Sequence, residues 1–192
     1  MTENTVIALE KRIKAAADKK EIFIVAVDGR CASGKTTLAA ALSERLGCDV
    51  IHTDDFYLQP HQRTTERYAE PGGNLDRERL IAAVLQPLRR GEGASYCPFI
   101  CSTMSFGEKI HLKSKGIFIV EGSYSCHPEM RKYYDLTVFV TTDSNTQSER
   151  IKNRNGTERL HDFLTKWIPL EEKYFAAFEI ESKADAVIRS NQ

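Results

Sequence analysis

The chain has 192 residues, 41% of them hydrophobic, and its 27 basic residues balance its 27 acidic ones. This length supports one sizeable core but not two enzyme domains of usual size, and the balanced charge argues against long-range attraction to nucleic acid or to an anionic membrane. No apolar run approaches the roughly 20 residues that cross a bilayer, and the N-terminal residues lack a signal-peptide pattern. We therefore expect a single cytoplasmic domain over residues 1–192, with no nucleic-acid or membrane partner.

The first quarter of the chain predicts a helix, a strand and a second helix. Residues 5–19 carry apolar side chains on one side, which is typical of an amphipathic helix. The run IFIVAV at 22–27 is short and continuously apolar, as expected of a central parallel strand. Leucines recur four apart within 36–46, and Gly47 follows as a residue that commonly ends a helix. These patterns predict the start of a β/α chain.

Short apolar runs continue to alternate with helical or irregular segments. The further runs are DVIHT at 49–53, GIFIVEG at 116–122, LTVFVTT at 136–142 and ADAVIRS at 184–190. Apolar spacing predicts a helix over 77–90, and Asp143 or Ser144 can cap a helix that continues to Asn153. The strand at 22–27 and these four runs together predict a five-stranded parallel sheet.

Two long segments separate these elements, at 56–75 and 91–112, and both are rich in Gly, Pro, Tyr and polar residues. Such connections in a compact domain are usually functional surfaces or lids. A zinc site could be assembled on paper from Cys97, Cys101, Cys126 and His127. Their spacing is not the tight CxxC of zinc ribbons, so we expect reduced thiols and a loop-packing histidine.

The segment Gly29–Thr36, GRCASGKT, matches the phosphate-loop pattern GxxxxGK[ST] between a predicted strand and a predicted helix. Its glycines let successive N–H groups point at phosphate oxygens, and the helix adds its positive end. Lys35 would pair with the β and γ phosphates of a nucleotide, and the Thr36 hydroxyl would hold Mg²⁺. The context argues against a simple glycine turn. We expect nucleotide contacts from Gly29, Arg30, Cys31, Ala32, Ser33, Gly34, Lys35, Thr36 and Thr37.

Two acidic positions come at the ends of predicted strands, where open parallel sheets present ligands. Glu121 ends the run IFIVE and could hold Mg²⁺ through water, although strand-end acids are often merely solvated. Asp54, in HTDDFY, could orient an acceptor hydroxyl in line with the γ phosphate and accept its proton. The alternative for Asp54 is a cap of a helix or turn. Together with the phosphate loop, these acids indicate nucleotide hydrolysis or phosphoryl transfer.

The order of these motifs resembles the uridine kinase and phosphoribulokinase group of phosphate-loop kinases. The resemblance spans nearly the whole chain and rests on GRCASGKT, DDFY, NLD at 74–76, IVEGSYS, DLTVFVTTD, an arginine-rich segment from Arg150, and ADAVIRS. It implies a three-layer α/β/α P-loop NTPase fold with an arginine-containing lid. It also implies an enzyme that uses ATP and Mg²⁺ to phosphorylate a small-molecule alcohol.

The resemblance also implies roles for individual residues at the acceptor. Asp54 matches the catalytic Asp of the family's DxFY motif, Tyr57 lies at the acceptor pocket, and Asp76 matches an Asp that holds sugar hydroxyls. Tyr124 could line the same pocket, as could Tyr96, Phe99 and Phe106, although aromatic residues at these positions equally form core.

The lid arginines are implied in the same way. Arg150 and Arg154 are four apart, hence on one helical face, and resemble arginines that close on the phosphates, with Arg159 as a further candidate. Without the resemblance, such residues more often belong to a solvated charged face. The implied catalytic set is Lys35, Asp54, Arg150 and Arg154, with a mobile lid after the fourth strand.

The chain departs from uridine kinases at 96–102. Where that family has a PxYDF-like run and a nearby His that reads the pyrimidine, this chain has YCPFICS. Uridine or cytidine leads as acceptor by resemblance, and ribosylnicotinamide, pantothenate and other sugar or vitamin alcohols are alternatives. A nucleotide switch that phosphorylates nothing is the alternative of another class, but the sequence has no NKxD run for guanine. A homo-oligomer is compatible with the sequence.

Overall fold

A computed structural model of the chain describes residues 1–190. The strands are, in chain order, β1 Ile22–Gly29, β2 Asp49–His52, β3 Ala94–Tyr96, β4 Phe99–Ile100, β5 Ser105–Phe106, β6 Ile110–Leu112, β7 Gly116–Glu121, β8 Leu136–Thr141 and β9 Ala186–Arg189. The α-helices are α1 Glu3–Ala17, α2 Lys35–Leu46, α3 Thr65–Ala69, α4 Arg77–Leu80, α5 Gln86–Arg89, α6 Pro128–Arg131, α7 Ser144–Asn155, α8 Thr157–Asp162, α9 Ile168–Phe178 and α10 Ile180–Lys183. Short 3₁₀ turns lie at Thr53–Phe56 and Pro60–Gln62.

Five of the strands form the predicted parallel sheet, in the order β2-β7-β1-β8-β9. The central strand β1 is buried beyond its first residue, which explains its unbroken apolar sequence. Val27 of β1 lies beside Glu121 of β7 in the register, and β2 runs on the other side of β7. The carboxyl ends of these strands therefore meet at one edge of the sheet, where the loops after β1, β2 and β7 lie side by side.

Helices cover both faces of the sheet. Ile13 of α1 and Leu38 of α2 pack against Val25 of β1 on one face. On the opposite face, Val84 and residues of α9 pack with Ile24. Successive strand residues point to opposite sides, so Ile24 and Val25 belong to two separate cores of a three-layer α/β/α domain. Within residues 1–190, none of the helices combines the length and the apolar character that crossing a bilayer demands.

Two π turns interrupt the helical runs, and each stands just before a proline. Ile81–Leu85 joins α4 to α5, so that 77–89 forms one continuous helix, as predicted. Phe163–Trp167 joins α8 to α9. Pro87 and Pro169 lack an N–H, and their rings would clash with the carbonyl four residues earlier in a regular helix. The widened turns accommodate both prolines.

Two regions hold elements that the sequence patterns did not predict. The segment 91–112 contains two small antiparallel pairs, β3 with β6 and β4 with β5. Strands of two or three residues are too short to show alternation, which is why they were missed. After Gly156 the chain continues as α8 and α9, and α8 buries no side chain, so it lacks an amphipathic pattern. The arginine-containing lid in this region stays a prediction.

Candidate active site

The phosphate loop joins β1 to α2 and depends on glycine at two positions. Gly29 has a φ of +136°, and a Cβ there would lie 1.9 Å from the carbonyl oxygen of Val140. Gly34, which precedes α2, has a φ of +97°. Residues with a Cβ rarely adopt these angles, so the two fixed glycines of the motif follow from the tight path of the backbone.

Asp28, directly before the loop, is fully buried and joins three segments. Its carboxylate accepts hydrogen bonds from the N–H groups of Gly29 at 2.7 Å and Cys126 at 2.8 Å. It also accepts from the N–H of Tyr124 at 3.2 Å and the hydroxyl of Tyr174 at 2.8 Å. Burial raises the pKa of Asp28 to about 6, although these bonds oppose the shift. The loop is thereby tied to α9 and to the turn after β7.

Helix α9 contacts the loop through two adjacent glutamates. Glu171 is 4% exposed and accepts from the N–H of Cys31 at 2.9 Å and from the hydroxyl of Ser123 at 2.6 Å. Glu172 accepts from the Nε of Arg30 at 2.7 Å and from its Nη2 at 3.0 Å. Because Arg30 and Cys31 belong to the phosphate loop, α9 and the loop form one connected unit.

Lys35 is buried against the backbone of the phosphate loop. Its ammonium donates to the carbonyl oxygens of Gly29 at 2.7 Å and Arg30 at 2.9 Å. The positive charge therefore lies next to the N–H groups that would receive phosphate oxygens. Its pairing with the β and γ phosphates stays a prediction.

A cleft of about 480 Å³ opens beside the loop and brings together nine of the predicted site residues. Those that line it are Cys31, Lys35, Thr36, Asp54, Tyr57, Glu121, Tyr124, Arg154 and Arg159. They come from the phosphate loop, the ends of β2 and β7, and the helical segment after β8. Residues distant in sequence therefore face one space, large enough for a small ligand.

A second cavity, of about 420 Å³, meets the loop at Ala32, Gly34 and Thr37. Arg150 lines this cavity and donates to the carbonyl oxygens of Ala32 at 3.2 Å and Ser190 at 2.9 Å. Arg154 lines both cavities, whereas Arg150 is not among the residues that line the first. The two predicted lid arginines thus share the second cavity, and only Arg154 also lines the cleft.

The side chains expected to hold Mg²⁺ lie close together. The Thr36 hydroxyl is 3.3 and 3.4 Å from the two carboxylate oxygens of Glu121. His52 Nδ1 lies 2.5 Å from Glu121 Oε1, and this contact raises the pKa of His52. A hydroxyl and a carboxylate are oxygen ligands of the kind that Mg²⁺ prefers, and Mg²⁺ usually keeps several waters besides. Thr36 and Glu121 therefore fit the ion.

Two adjacent carboxylates follow β2, and they face different surroundings. Asp54 lines the cleft, and its Oδ1 accepts from the Tyr57 hydroxyl at 2.8 Å. Burial raises the pKa of Tyr57, so its hydroxyl stays protonated and remains a donor at neutral pH. Asp55 instead accepts from the hydroxyl of Tyr96 at 3.0 Å, and burial raises the pKa of Asp55. Asp54 is therefore the carboxylate that an acceptor in the cleft would meet.

Asp76 does not line the cleft. It is 2% exposed and caps α4, with Oδ1 accepting from the N–H of Arg79 at 3.1 Å and Oδ2 from the Nε of Arg79 at 3.3 Å. Asn74, two residues earlier, lines the cleft in its place. The sugar-binding role implied for Asp76 stays a prediction, and in this conformation Arg79 occupies its carboxylate.

The aromatic candidates divide between cleft and core. Tyr124 lines the cleft, whereas Tyr96 and Phe99 are buried and Phe99 packs edge-on against Phe106, with ring centroids 5.5 Å apart. His127 is buried too and packs against rings of α9, and burial lowers its pKa to about 4.

Among the residues at this site to which the sequence patterns assigned no role are three charged ones. Asp28 and Glu171 are buried acids bonded to the loop, and Arg63 lines the cleft. The only signal was a charged residue at the end of an apolar run for Asp28, and a charged pair between apolar neighbours in IPLEEKYF for Glu171.

No protein-family model matches the sequence. Uridine kinase-like protein 4 of Arabidopsis thaliana is 26% identical over 82% of this chain and 35% of its own length. The tRNA-specific adenosine deaminase subunit tad2 of Schizosaccharomyces pombe is 29% identical over 78% of this chain and 40% of its own length. The chain therefore spans well under half the length of these two curated relatives.

A further relative matches over most of its own length. The uridine kinase of Haemophilus influenzae is 32% identical over 71% of this chain and 70% of that protein. Among solved structures, a possible uridine kinase from Bacillus stearothermophilus superimposes with a TM-score of 0.74, at 21% identity, over 96% of this chain and 97% of that one. The structural match confirms the predicted three-layer fold with its five-stranded parallel sheet.

Proposed function

Because the chain belongs to the uridine kinase family, we propose that it is an ATP-dependent kinase that transfers the γ-phosphoryl group of ATP to a hydroxyl of a nucleoside or a similar small alcohol. The observation that carries this proposal is the convergence of three features on one cleft: the buried Lys35 of the phosphate loop, the Thr36 and Glu121 pair, and Asp54. The same proposal places the protein in the cytoplasm, where ATP is available.

The donor half of the reaction uses the loop and the metal-side pair. The N–H groups of Gly29–Thr36 and the positive end of α2 would bind phosphate oxygens, and Lys35 would neutralise their charge. Thr36 and Glu121 would hold Mg²⁺, which when bound neutralises charge between the β and γ phosphates. Arg154, which lines both cavities together with Lys35, would meet the transferring group and neutralise its developing charge.

The acceptor half rests on Asp54. Its Oδ1 is occupied by the Tyr57 hydroxyl, which leaves Oδ2 to accept the proton of an incoming hydroxyl. Fixing one carboxylate oxygen also fixes the direction of the other, so the Tyr57 contact would help Asp54 to orient the acceptor in line with the γ phosphate. Phosphoryl transfer needs little else from the protein than positioning and charge stabilisation.

The first experiment is the release of ADP from ATP and Mg²⁺ against a panel of nucleosides, sugars and vitamin alcohols, with Lys35→Ala as blank. One compound that stimulates turnover many-fold over the acceptor-free rate supports the kinase. Asp54→Asn should then lower acceptor-dependent kcat by about 10²–10⁴-fold, the usual contribution of a positioned base.

The competing function is a nucleotide switch, which would hydrolyse ATP without phosphorylating an acceptor. In that case Asp54→Asn leaves nucleotide turnover intact, and no compound of the panel stimulates the Lys35-dependent rate. Those two results together would contradict the kinase function and support a nucleotide switch.

A further inference from the structure

Part of the cleft is built neither from the phosphate loop nor from strand ends. Six residues of this part, Arg63, Tyr68, Asn74, Cys101, Arg159 and Trp167, are called the outer wall, and Leu58, Arg154 and Phe163 line the same part of the cleft. The carboxylates of the cleft lie elsewhere: Asp54 and Glu121 are at strand ends, and Glu171 is bonded to the loop. The outer wall thus offers two guanidinium groups and no carboxylate.

Arg63 is held in place at the outer wall without a counterion. Its Nε donates to the carbonyl oxygen of Leu58 at 2.9 Å, and its Nη2 lies 3.4 Å from the sulfur of Cys101. Within residues 1–190 it forms no ion pair, in contrast to nearby Arg67, which pairs with Glu78 at 2.7 Å. Arg63 is half-buried, and the burial of a guanidinium costs free energy unless a partner compensates for its lost hydration. The planar guanidinium matches the two oxygens of a carboxylate or a phosphate.

Other positive groups surround the same wall. Arg159 also forms no ion pair among the described residues, and it faces the cleft from α8. The Lys166 ammonium lies 4.3 Å from the ring centroid of Trp167 and 5.6 Å from that of Tyr68. Three cations therefore lie on or beside a wall whose remaining members are neutral, and their field attracts an anion.

The carboxylate that the family resemblance implies for a neutral sugar does not line the cleft. Asp76, the carboxylate expected to hold sugar hydroxyls, is buried and bonded to Arg79. We infer that the acceptor is an acidic alcohol, with its reacting hydroxyl at Asp54 and a carboxylate or phosphate group at Arg63. This inference rests on the proposed kinase function and narrows its substrate class.

Matched pairs of acceptors test the inference, because each pair differs in the acidic group. Suitable pairs are pantothenol with pantothenate and uridine with orotidine for a carboxylate, and ribose with ribose 5-phosphate for a phosphate. We expect the acidic member of at least one pair to have a kcat/KM at least tenfold above its neutral partner. Arg63→Gln should lower kcat/KM for that acid by about 10- to 100-fold, mainly through KM, because a charge-assisted hydrogen bond is lost. Arg63→Lys should retain part of the preference.

The control variant is Arg90→Gln, which removes an exposed arginine whose one ion pair within residues 1–190 is with Glu92 at the surface. It should change kcat/KM for neither member of a pair. Circular dichroism and thermal unfolding of Arg63→Gln establish that it folds. The inference is overturned if the neutral members have an equal or higher kcat/KM, or if the preference for acids persists in Arg63→Gln. Either result would still be compatible with the proposed kinase function.

If none of the six compounds is phosphorylated, that result counts against the proposed kinase function. A binding measurement then tests the anion site by itself. Inorganic phosphate is titrated into the protein saturated with MgADP, whose phosphates fill the loop. Saturable binding that Arg63→Gln weakens at least tenfold supports an anion site at Arg63 even then. Absent binding, or binding unchanged in Arg63→Gln and therefore located elsewhere, overturns it.

Discussion

The phosphate loop and the outer wall of the cleft are built in opposite ways. The loop is held by bonds to the buried acids Asp28 and Glu171 and by the partly exposed, bidentate Arg30–Glu172 pair. The outer wall comes from several separate segments: the region of the 3₁₀ turns and α3, the small β4–β5 hairpin, and the helical segment at α8 and Trp167. In that hairpin, the Ile100 side chain is 41% exposed. A donor site must hold the same phosphates in every kinase, whereas an acceptor site differs between them. The cleft therefore has a fixed half, which is the phosphate loop and its supports, and an adaptable half, which is the outer wall.

Arg154 gives the largest expected effect, because it lines both cavities at the loop. Arg154→Gln should lower kcat by about 10³-fold or more, the range in which arginines that meet developing charge contribute. Rates of acceptor-dependent ADP release measure this effect. Arg189→Gln, an exposed arginine on β9, is the control. A loss of less than tenfold would show that Arg154 does not meet the transferring group.

The rigidity of the loop is tested by two alanine substitutions at glycines with positive φ. Gly29→Ala would put a Cβ 1.9 Å from Val140 O, whereas the Cβ of Gly47→Ala, at a φ of +61°, meets nothing within 4 Å. We expect Gly29→Ala to lower the free energy of unfolding by about 4 kcal/mol or more, and Gly47→Ala by about 1–2 kcal/mol from backbone strain alone. Urea denaturation measures both. Equal losses would contradict the close approach of the loop to β8.

The pH dependence of stability tests the buried carboxylate below the loop. The pKa of Asp28 is about 6 in the folded state, against 3.8 for an exposed Asp, so the folded state binds the proton more tightly. Its contribution to stability is therefore fully present below about pH 4 and is lost as the pH rises through 6, by up to about 3 kcal/mol. The free energy of unfolding of Asp28→Asn should not fall with pH in this way. Urea denaturation of both proteins between pH 4 and 7 gives the difference, and parallel curves would contradict the shift.

The smallest effect is expected on the adaptable half. Ile100→Thr keeps a β-branched residue in β4 and should change the free energy of unfolding by no more than about 0.5 kcal/mol, because the side chain is already largely in water. A loss above about 1.5 kcal/mol would show that the hairpin is packed as firmly as the loop, and the comparison between the two halves would fail.

The donor half was predictable because its signals are local in sequence. The glycines of GRCASGKT are enough to predict the loop, and the apolar run before it predicts the strand. Five strands of the sheet were found for the same reason, since each is a short apolar run bounded by turns.

The acceptor half was less predictable because it depends on tertiary contacts. Nothing near Arg63 in the sequence shows that Leu58 and Cys101 would hold its guanidinium at the cleft. Asp76 follows a family pattern, yet its position before α4 also makes it a helix cap. A sequence pattern cannot decide which of two partners a carboxylate meets, since that depends on how distant segments pack.

The strand order also has a consequence for how the chain acquires its structure. Strand β1 appears early in the sequence, but its two neighbours in the sheet, β7 and β8, follow only after the hairpins of 91–112. Such non-local pairing gives the domain a high contact order, and the loop entropy it costs makes folding slow. The backbone amides of β1 should therefore gain protection from hydrogen exchange late during refolding, after those of α1 and α2. Nucleotide binding, which needs the loop held between these strands, should appear only with that last phase.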